Sequence, residues 1–475
     1  MHPTMNLSRL RRGLRLVAEA AAVTIGAVIA LPGQVHAAPI TLTWTGSGGE
    51  GGLWSDTGNW SPSLAPTTGD SLVFPASSSS LLTTDDIPGL SIASITMATA
   101  YQLYGQDLTM TGPFAVAPGS GQVVIANNLI LGADVRLTNG DTSNALMDLG
   151  NISESGGAHM LTVAGAGKVD FLGNETYTGG TTIDGATTGY ALMDGPASTA
   201  DVTVPAGATL GGHGTAGNVG ATGGTVAPGN SPGHLTVASL GFTSSSTYDV
   251  ELNGTTSGSQ YDQTTSNGAV TLGSATLSIT FGYTPAVGDS FKIIDKASAG
   301  ATSGTFAGLS EGREFLSSGH ILRISYAGGD GNDTVLTVLN AFSSTTTLAS
   351  SKNPSTLGDQ VTFSAHVDAT NSAGTPTGSV TFKDGASVLA TVALDGSNNA
   401  TFTTTGLGAG NHSITVTYPG DSSFNGSTAA LTQVVSLPVP TAGVGASPTL
   451  PWGGALMLFG GTLLAAGRAR RRRGA

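Results

Sequence analysis

The sequence predicts an all-β chain: a right-handed β-solenoid with a β cap, then a β-sandwich, then a short C-terminal transmembrane helix. Three observations predict it. Between the two ends of the chain, no long stretch places apolar residues at i, i+3, i+4 and i+7 between helix caps. Short runs alternate apolar with small polar residues, and Gly, Asn, Asp and Pro punctuate the gaps. The 475 residues include 71 Gly and no Cys. Disulfides and thiolate metal sites are therefore excluded, and stability rests on packing and backbone hydrogen bonds.

Residues 1–37 read as a secretory signal peptide. Arg9, Arg11, Arg12 and Arg15 precede an apolar run from Leu16 to Ala30, and Pro32, Gly33 and the small residues Ala37 and Ala38 follow. Cleavage is expected after Ala37, or else after Ala38. Residues 38–340 read as the solenoid. From about Thr41 to Thr236 the strands are short and the turns small, as in Gln122–Ala126 and Asp201–Val204. The phrases at 106–112, 159–165 and 198–204 resemble one another without a strict period. At 20 to 25 residues per rung the region holds roughly eight to ten rungs. From about 238 the strands lengthen, as in Tyr248–Leu252 and Phe291–Asp295, and a β cap is expected there, because a bare solenoid end exposes unpaired backbone. Residues 343–435 show strand signals every 8 to 12 residues, the spacing of a sandwich, with turns at Asp384-Gly385 and Asp395-Gly396. Residues 436–451 are a Pro/Gly/Ala-rich linker. Residues 452–475 join an apolar segment to Arg468 and Arg470–Arg473, a membrane segment with a basic stop.

Four of the 17 Lys and Arg residues lie in the first segment and five in the last. Eight remain between them against 29 acids, Glu19 being the one acid outside, a net of about −21. Such a surface repels phosphates, so nucleic acid is excluded as a partner.

Three resemblances then become specific. Trp44-Thr45-Gly46, Trp54-Ser55, Asn59-Trp60, Gly69–Phe74, Asn174–Asp184 and Gly224–Gly233 resemble proteins with autotransporter-associated β-strand repeats. That family implies a β-helix at the cell surface. No run of amphipathic barrel strands follows, so self-translocation is not expected. Gly358–Phe363, Pro376–Gly385 and Gly410–Tyr418 resemble a bacterial Ig-like repeat domain, which implies a spacer or adhesive module. Pro448-Thr449-Leu450, Trp452-Gly453, the apolar segment and the arginines resemble the IPTL-CTERM and PEP-CTERM sorting signals, without their usual Ser-Glu. They imply a processing enzyme in the membrane of a Gram-negative bacterium.

Several motifs invite a chemical reading. Gly229–Gly233 matches G-x-S-x-G, but Pro232 has no N–H to offer an oxyanion hole, so a turn is expected. Gly212–Gly217 matches G-x-G-x-x-G, yet turn formers follow where a helix is required. Gly328–Val335 fits one copy of the calcium nonapeptide; a lone copy closes no coordination shell, and a Gly-rich acidic turn is expected. Trp44, Trp54 and Trp60 either stack against a glycan or lid the first rung, and the lid is preferred. His159, His213, His234, His320, His366 and His412 show no metal-ligand spacing. Tyr418 is placed for a tyrosine-corner bond.

The expectation is therefore an exported surface protein, structural or adhesin-like, and not an enzyme. No catalytic, cofactor or metal residue is assigned, and no cofactor. Its partners are the membrane and a processing enzyme at the C-terminal segment, and a surface glycan or protein ligand. The alternative is a polysaccharide-binding or polysaccharide-active β-helix, which a carboxylate pair on one groove would favour.

Overall fold

A computed structural model of the chain describes residue 36 and residues 38–439, apart from 50, 51, 144, 188 and 371–373. The expected signal peptide, except His36, and the expected C-terminal segment lie outside the described residues. The described residues are all-β, with two three-residue 3₁₀ turns, Thr57–Asn59 and Gly185–Thr187, as their only helical elements. No helix among them is long and apolar enough to cross a membrane.

The chain winds through three sheets in turn, an arrangement compatible with a β-helix. One sheet stacks Thr41–Trp44, Ser71–Phe74, Ser94–Met97, Phe114–Val116, Val135–Asn139, Leu161–Ala164, Thr181–Ile183, Val202–Pro205, Thr215–Thr222 and His234–Phe242 in that order, all parallel. A second, ten-stranded sheet runs from Leu82–Asp85 to Thr276–Phe281, and a third, six-stranded, from Ser91–Ile92 to Ala197–Ser198. Eight of the ten strands of the second sheet fall before Thr236, at the lower end of the rung count expected for that region.

Register explains why this sequence folds this way. Leu72, Ile95, Phe114, Leu137, Val163 and Ile183 pair in succession, 19 to 26 residues apart. Each is an alternate, inward residue of its strand, so the column fills the core at one apolar side chain per rung. A slip of one residue would turn every member to solvent. Turns bring backbones close: at Gly105 (φ 122°) a Cβ would sit 1.9 Å from the Asp85 carbonyl oxygen. The similar phrases at 159–165 and 198–204 occupy the same sheet two strands apart, whereas 106–112 contributes to the third sheet. Their likeness reflects a shared strand-and-turn grammar, not a shared rung position.

Both ends of the stack are closed. At the start, Trp60–Ser61 turns back antiparallel on Thr41–Trp44. At the other end the parallel pattern continues past residue 238, where the cap was expected to begin. His234–Phe242 is long because it spans two rung positions without a turn, pairing with Gln263–Ser266 through its first half and with Val270–Thr271 through its second. Antiparallel pairing starts at Ser290–Lys296, which joins Asp333–Leu339, then His320–Gly328 and Glu314–Ser317.

The C-terminal module is a sandwich of a three-stranded and a five-stranded sheet. Its core holds Phe363, Val380, Phe382, Ile414 and Val416 and is separate from that of the solenoid. Asp384 and Ser387 close the expected hairpin. The Asp395-Gly396 turn instead carries the chain from one sheet to the other. The buried Glu314 carboxylate, in the solenoid cap, ties the two parts together. It accepts from the Arg323 guanidinium at 2.8 Å, the Ser343 hydroxyl at 2.7 Å and the Ser343 N–H at 2.6 Å.

Candidate functional site

The second sheet turns alternate residues inward and outward. In strands Leu146–Leu149, Lys168–Phe171 and Tyr190–Met193, the buried Met147, Val169 and Ala191 face the core. Leu146, Lys168 and Tyr190 therefore face outward in register, and so do Asp148, Asp170 and Leu192 two residues on.

Segment 227–233 crosses this outer face as a strap. Gly229 and Gly212 exchange backbone hydrogen bonds of 2.6 and 3.2 Å. The Asn230 amide donates to Asp194 at 2.6 Å, the Ser231 hydroxyl donates to Glu251, and the Gly233 N–H donates to Asp262 at 2.7 Å. Between strap and sheet lies a cleft of about 370 Å³. Its walls are Leu146, Lys168, Tyr190 and Leu192 from the sheet and Asn230 and Ser231 from the strap. The Lys168 ammonium lies 4.7 Å from the centre of the Tyr190 ring. Gly211 makes room for the Tyr190 hydroxyl, which a Cβ there would approach to 3.0 Å.

The surroundings are acidic. Asp170 is pushed up to about 9, by burial first and then by the charges of Asp194 and Asp148. Burial also raises Asp148, although its Oδ2 accepts from the Gln122 amide at 2.6 Å. Burial pushes Asp194 the same way, but the His213 and Asn230 bonds outweigh it and hold the group below its ordinary value. Asp170 thus keeps its proton at neutral pH and shares a hydrogen bond with the ionised Asp194. Asp262, at the far end of the strap, rises to about 7 through burial. Each of Asp148 and Asp170 is 4% exposed and has one carboxyl oxygen, Oδ1, with no hydrogen-bond partner among the described residues.

The motifs singled out in the sequence fall as follows. Gly229–Gly233 is the strap itself. Ser231 sits in the left-handed region (φ 73°), and its hydroxyl meets a carboxylate, not an imidazole. Gly212–Gly217 leads into strand Thr215–Thr222, with no helix. Gly328–Val335 is a turn between two antiparallel strands. Its Asp333 accepts from the Lys296 N–H at 2.9 Å and pairs with the Lys292 ammonium at 3.2 Å, so lysine occupies the acid that a cation would use.

The three tryptophans are buried together, with Trp44 and Trp60 ring centres 5.0 Å apart and Trp54 and Trp60 5.9 Å apart. Their indole N–H groups donate to Ser80 O, Thr83 Oγ1 and Trp54 O. They form a lid on the first rung and offer no face for a sugar. The Tyr418 hydroxyl makes no corner bond to backbone and faces Asp421; burial and that carboxylate push it up to about 12. The histidines do not converge, and no group of three His, Asp or Glu among the described residues is placed to hold a metal ion.

Sequence reasoning missed Asp148, Asp170, Asp194 and the cleft. The carboxylates lie 22 and 24 residues apart, one to a rung, and only the rung register brings them together.

Residues 347–436 match the family model of the bacterial Ig-like domain (group 3). The C-terminal sandwich is therefore an Ig-like domain. No curated protein and no solved structure matches the chain. Bacterial Ig-like domains suggest a surface-exposed protein, and the match covers most of the 343–435 stretch expected to form that module.

Proposed function

We propose that this is an exported cell-surface protein, structural or adhesin-like, in which a right-handed β-helix displays an Ig-like domain and the C-terminal segment sorts or tethers the chain. The observation that carries the reading is the joint at Glu314. A buried carboxylate in the solenoid cap receives the first N–H of the Ig-like region, so the two parts are connected by a hydrogen-bonded seam at the chain crossing. Such a seam suits a spacer that must transmit position. The likeness of residues 40–340 to autotransporter-associated repeats and the basic apolar tail support export and membrane handling.

The protein is read as non-enzymatic. Asp170 and Asp194 share a hydrogen bond, and a retaining or inverting glycosidase holds its two carboxyls at least about 5 Å apart to flank a glycosidic bond. The cleft on the second sheet favours a binding role for that face over a catalytic one.

The test is fractionation of the producing cells with mass spectrometry of the protein's termini. A mature N-terminus at Ala38 or Pro39 in the envelope or medium is expected. An intact Met1 in the cytoplasm would end the proposal.

A further inference from the structure

We propose that the cleft between the second sheet and the 227–233 strap is a binding site for a neutral saccharide. The inference rests on the adhesin-like reading for its biological sense and on the cleft alone for its chemistry.

The lining decides the ligand class. Leu146 and the part of the Tyr190 ring left open beside the Lys168 ammonium offer apolar surface, with Leu192 buried behind them, and Lys168, Asn230 and Ser231 supply polar groups. A pyranose has this pattern in reverse, with C–H faces for the apolar surface and hydroxyls at the rim. The volume of about 370 Å³ falls in the range of small-ligand sites.

Charge removes the competitors. Asp194, Asp249, Glu251 and Asp262 all act on the Tyr190 hydroxyl, so a uronate or phosphate would be repelled. A cation would meet Lys168 in the lining itself, and no group of three His, Asp or Glu among the described residues is placed to hold a metal ion. A neutral ligand meets neither obstacle.

A second, independent feature points the same way. Asp148 and Asp170 face the side of the sheet that bears the cleft, directly beside the Leu146–Lys168–Tyr190 row, and each keeps one oxygen unpartnered. Buried polar atoms are rarely left so. Each is a buried polar oxygen that a water or a ligand hydroxyl would satisfy. The Trp lid at the first rung supplies no alternative platform, since all three rings are closed off.

The test is titration calorimetry and saturation-transfer NMR on the purified full-length protein. The probes are neutral gluco-, manno- and galacto-hexaoses, with oligogalacturonate and spermidine as charged comparisons. One or more neutral hexaoses should bind, and the charged probes should not. Tyr190→Ala should weaken binding about tenfold or more, in line with the loss of one aromatic platform. Because Tyr190 is partly buried, Lys168→Gln and Asn230→Ala, at the cleft margin, provide a second measure and should each weaken binding several-fold with an unchanged circular dichroism spectrum. Leu316→Ala, on the exposed cap, should leave binding unchanged. Failure of every neutral hexaose to bind at millimolar concentration would overturn the proposal, as would affinity indifferent to all three cleft variants or binding confined to a charged probe. A cytoplasmic protein that still binds would refute surface display and leave the cleft assignment standing.

Discussion

Single residues in this protein carry an inverted acid balance. Asp170 and Glu175 lie at about 9 and about 8, both raised first by burial, against about 4 in an unfolded chain. Glu175 occupies an inward position of the third sheet, between Ile152 and Ser198, and both its carboxyl oxygens lack partners among the described residues. Folding therefore takes up protons between pH 4 and 9. The stability linked to these groups is full below pH 4 and is lost as pH rises through their folded values. Asp170→Asn should raise stability by about 1 kcal/mol at pH 9 and change it little at pH 4.5, as read from urea melts at the two pH values. Equal destabilisation at both would show that the carboxyl serves packing alone. None of this was legible in the sequence. Asp148 and Asp170 sit in outward positions of alternating strands, where an acid is ordinarily solvated. The strap on this face, bonded to neighbouring Asp194, comes some 60 residues after Asp170 and some 80 after Asp148.

At the scale of elements, the tryptophan lid and the strand alternation were legible, because both are local. Trp44, Trp54 and Trp60 fall within 17 residues, and an end rung needs apolar cover whatever follows it. Trp60→Ala should cost about 3–5 kcal/mol of solenoid stability and raise hydrogen exchange first at Leu42–Trp44 and Leu72–Phe74, which lie beneath the lid. A loss of protection spread evenly over all rungs would contradict the lid assignment. The start of the cap was not legible. The long strand His234–Phe242 looks like a sandwich member in one dimension, and only its two parallel partners, both in the next rung, show it to be two positions of one rung run together. The hairpin at Asp384-Gly385 was legible because such a turn fixes register within a few residues.

At the scale of the whole molecule, the described residues form two cores joined at one seam. The solenoid core and the Ig-like core share no buried residue. Thermal unfolding should therefore show two transitions. Leu137→Ala should lower only the first core's transition and Phe382→Ala only the other's, each by an amount matching about 2–5 kcal/mol. A single merged transition that both substitutions shift would mean that the Glu314 seam couples the cores fully. Glu314→Ala should leave both transitions in place while freeing the angle between the two parts, which small-angle scattering would record as a broader distribution of lengths.

The lid also sets a timetable. Trp44 packs on Phe74 and reaches the Ser80 carbonyl, and Phe74 in turn meets Tyr101. A chain that emerges N-terminus first thus delivers its three largest rings well before the residues that receive them. They wait, uncovered, until Tyr101 has followed. The emerging lid segment is therefore adhesive while the chain behind it is short and becomes inert once the third circuit of the spiral has arrived. Slow delivery would favour premature clumping, and steady delivery would draw the growing coil outward as each new turn locks onto the last.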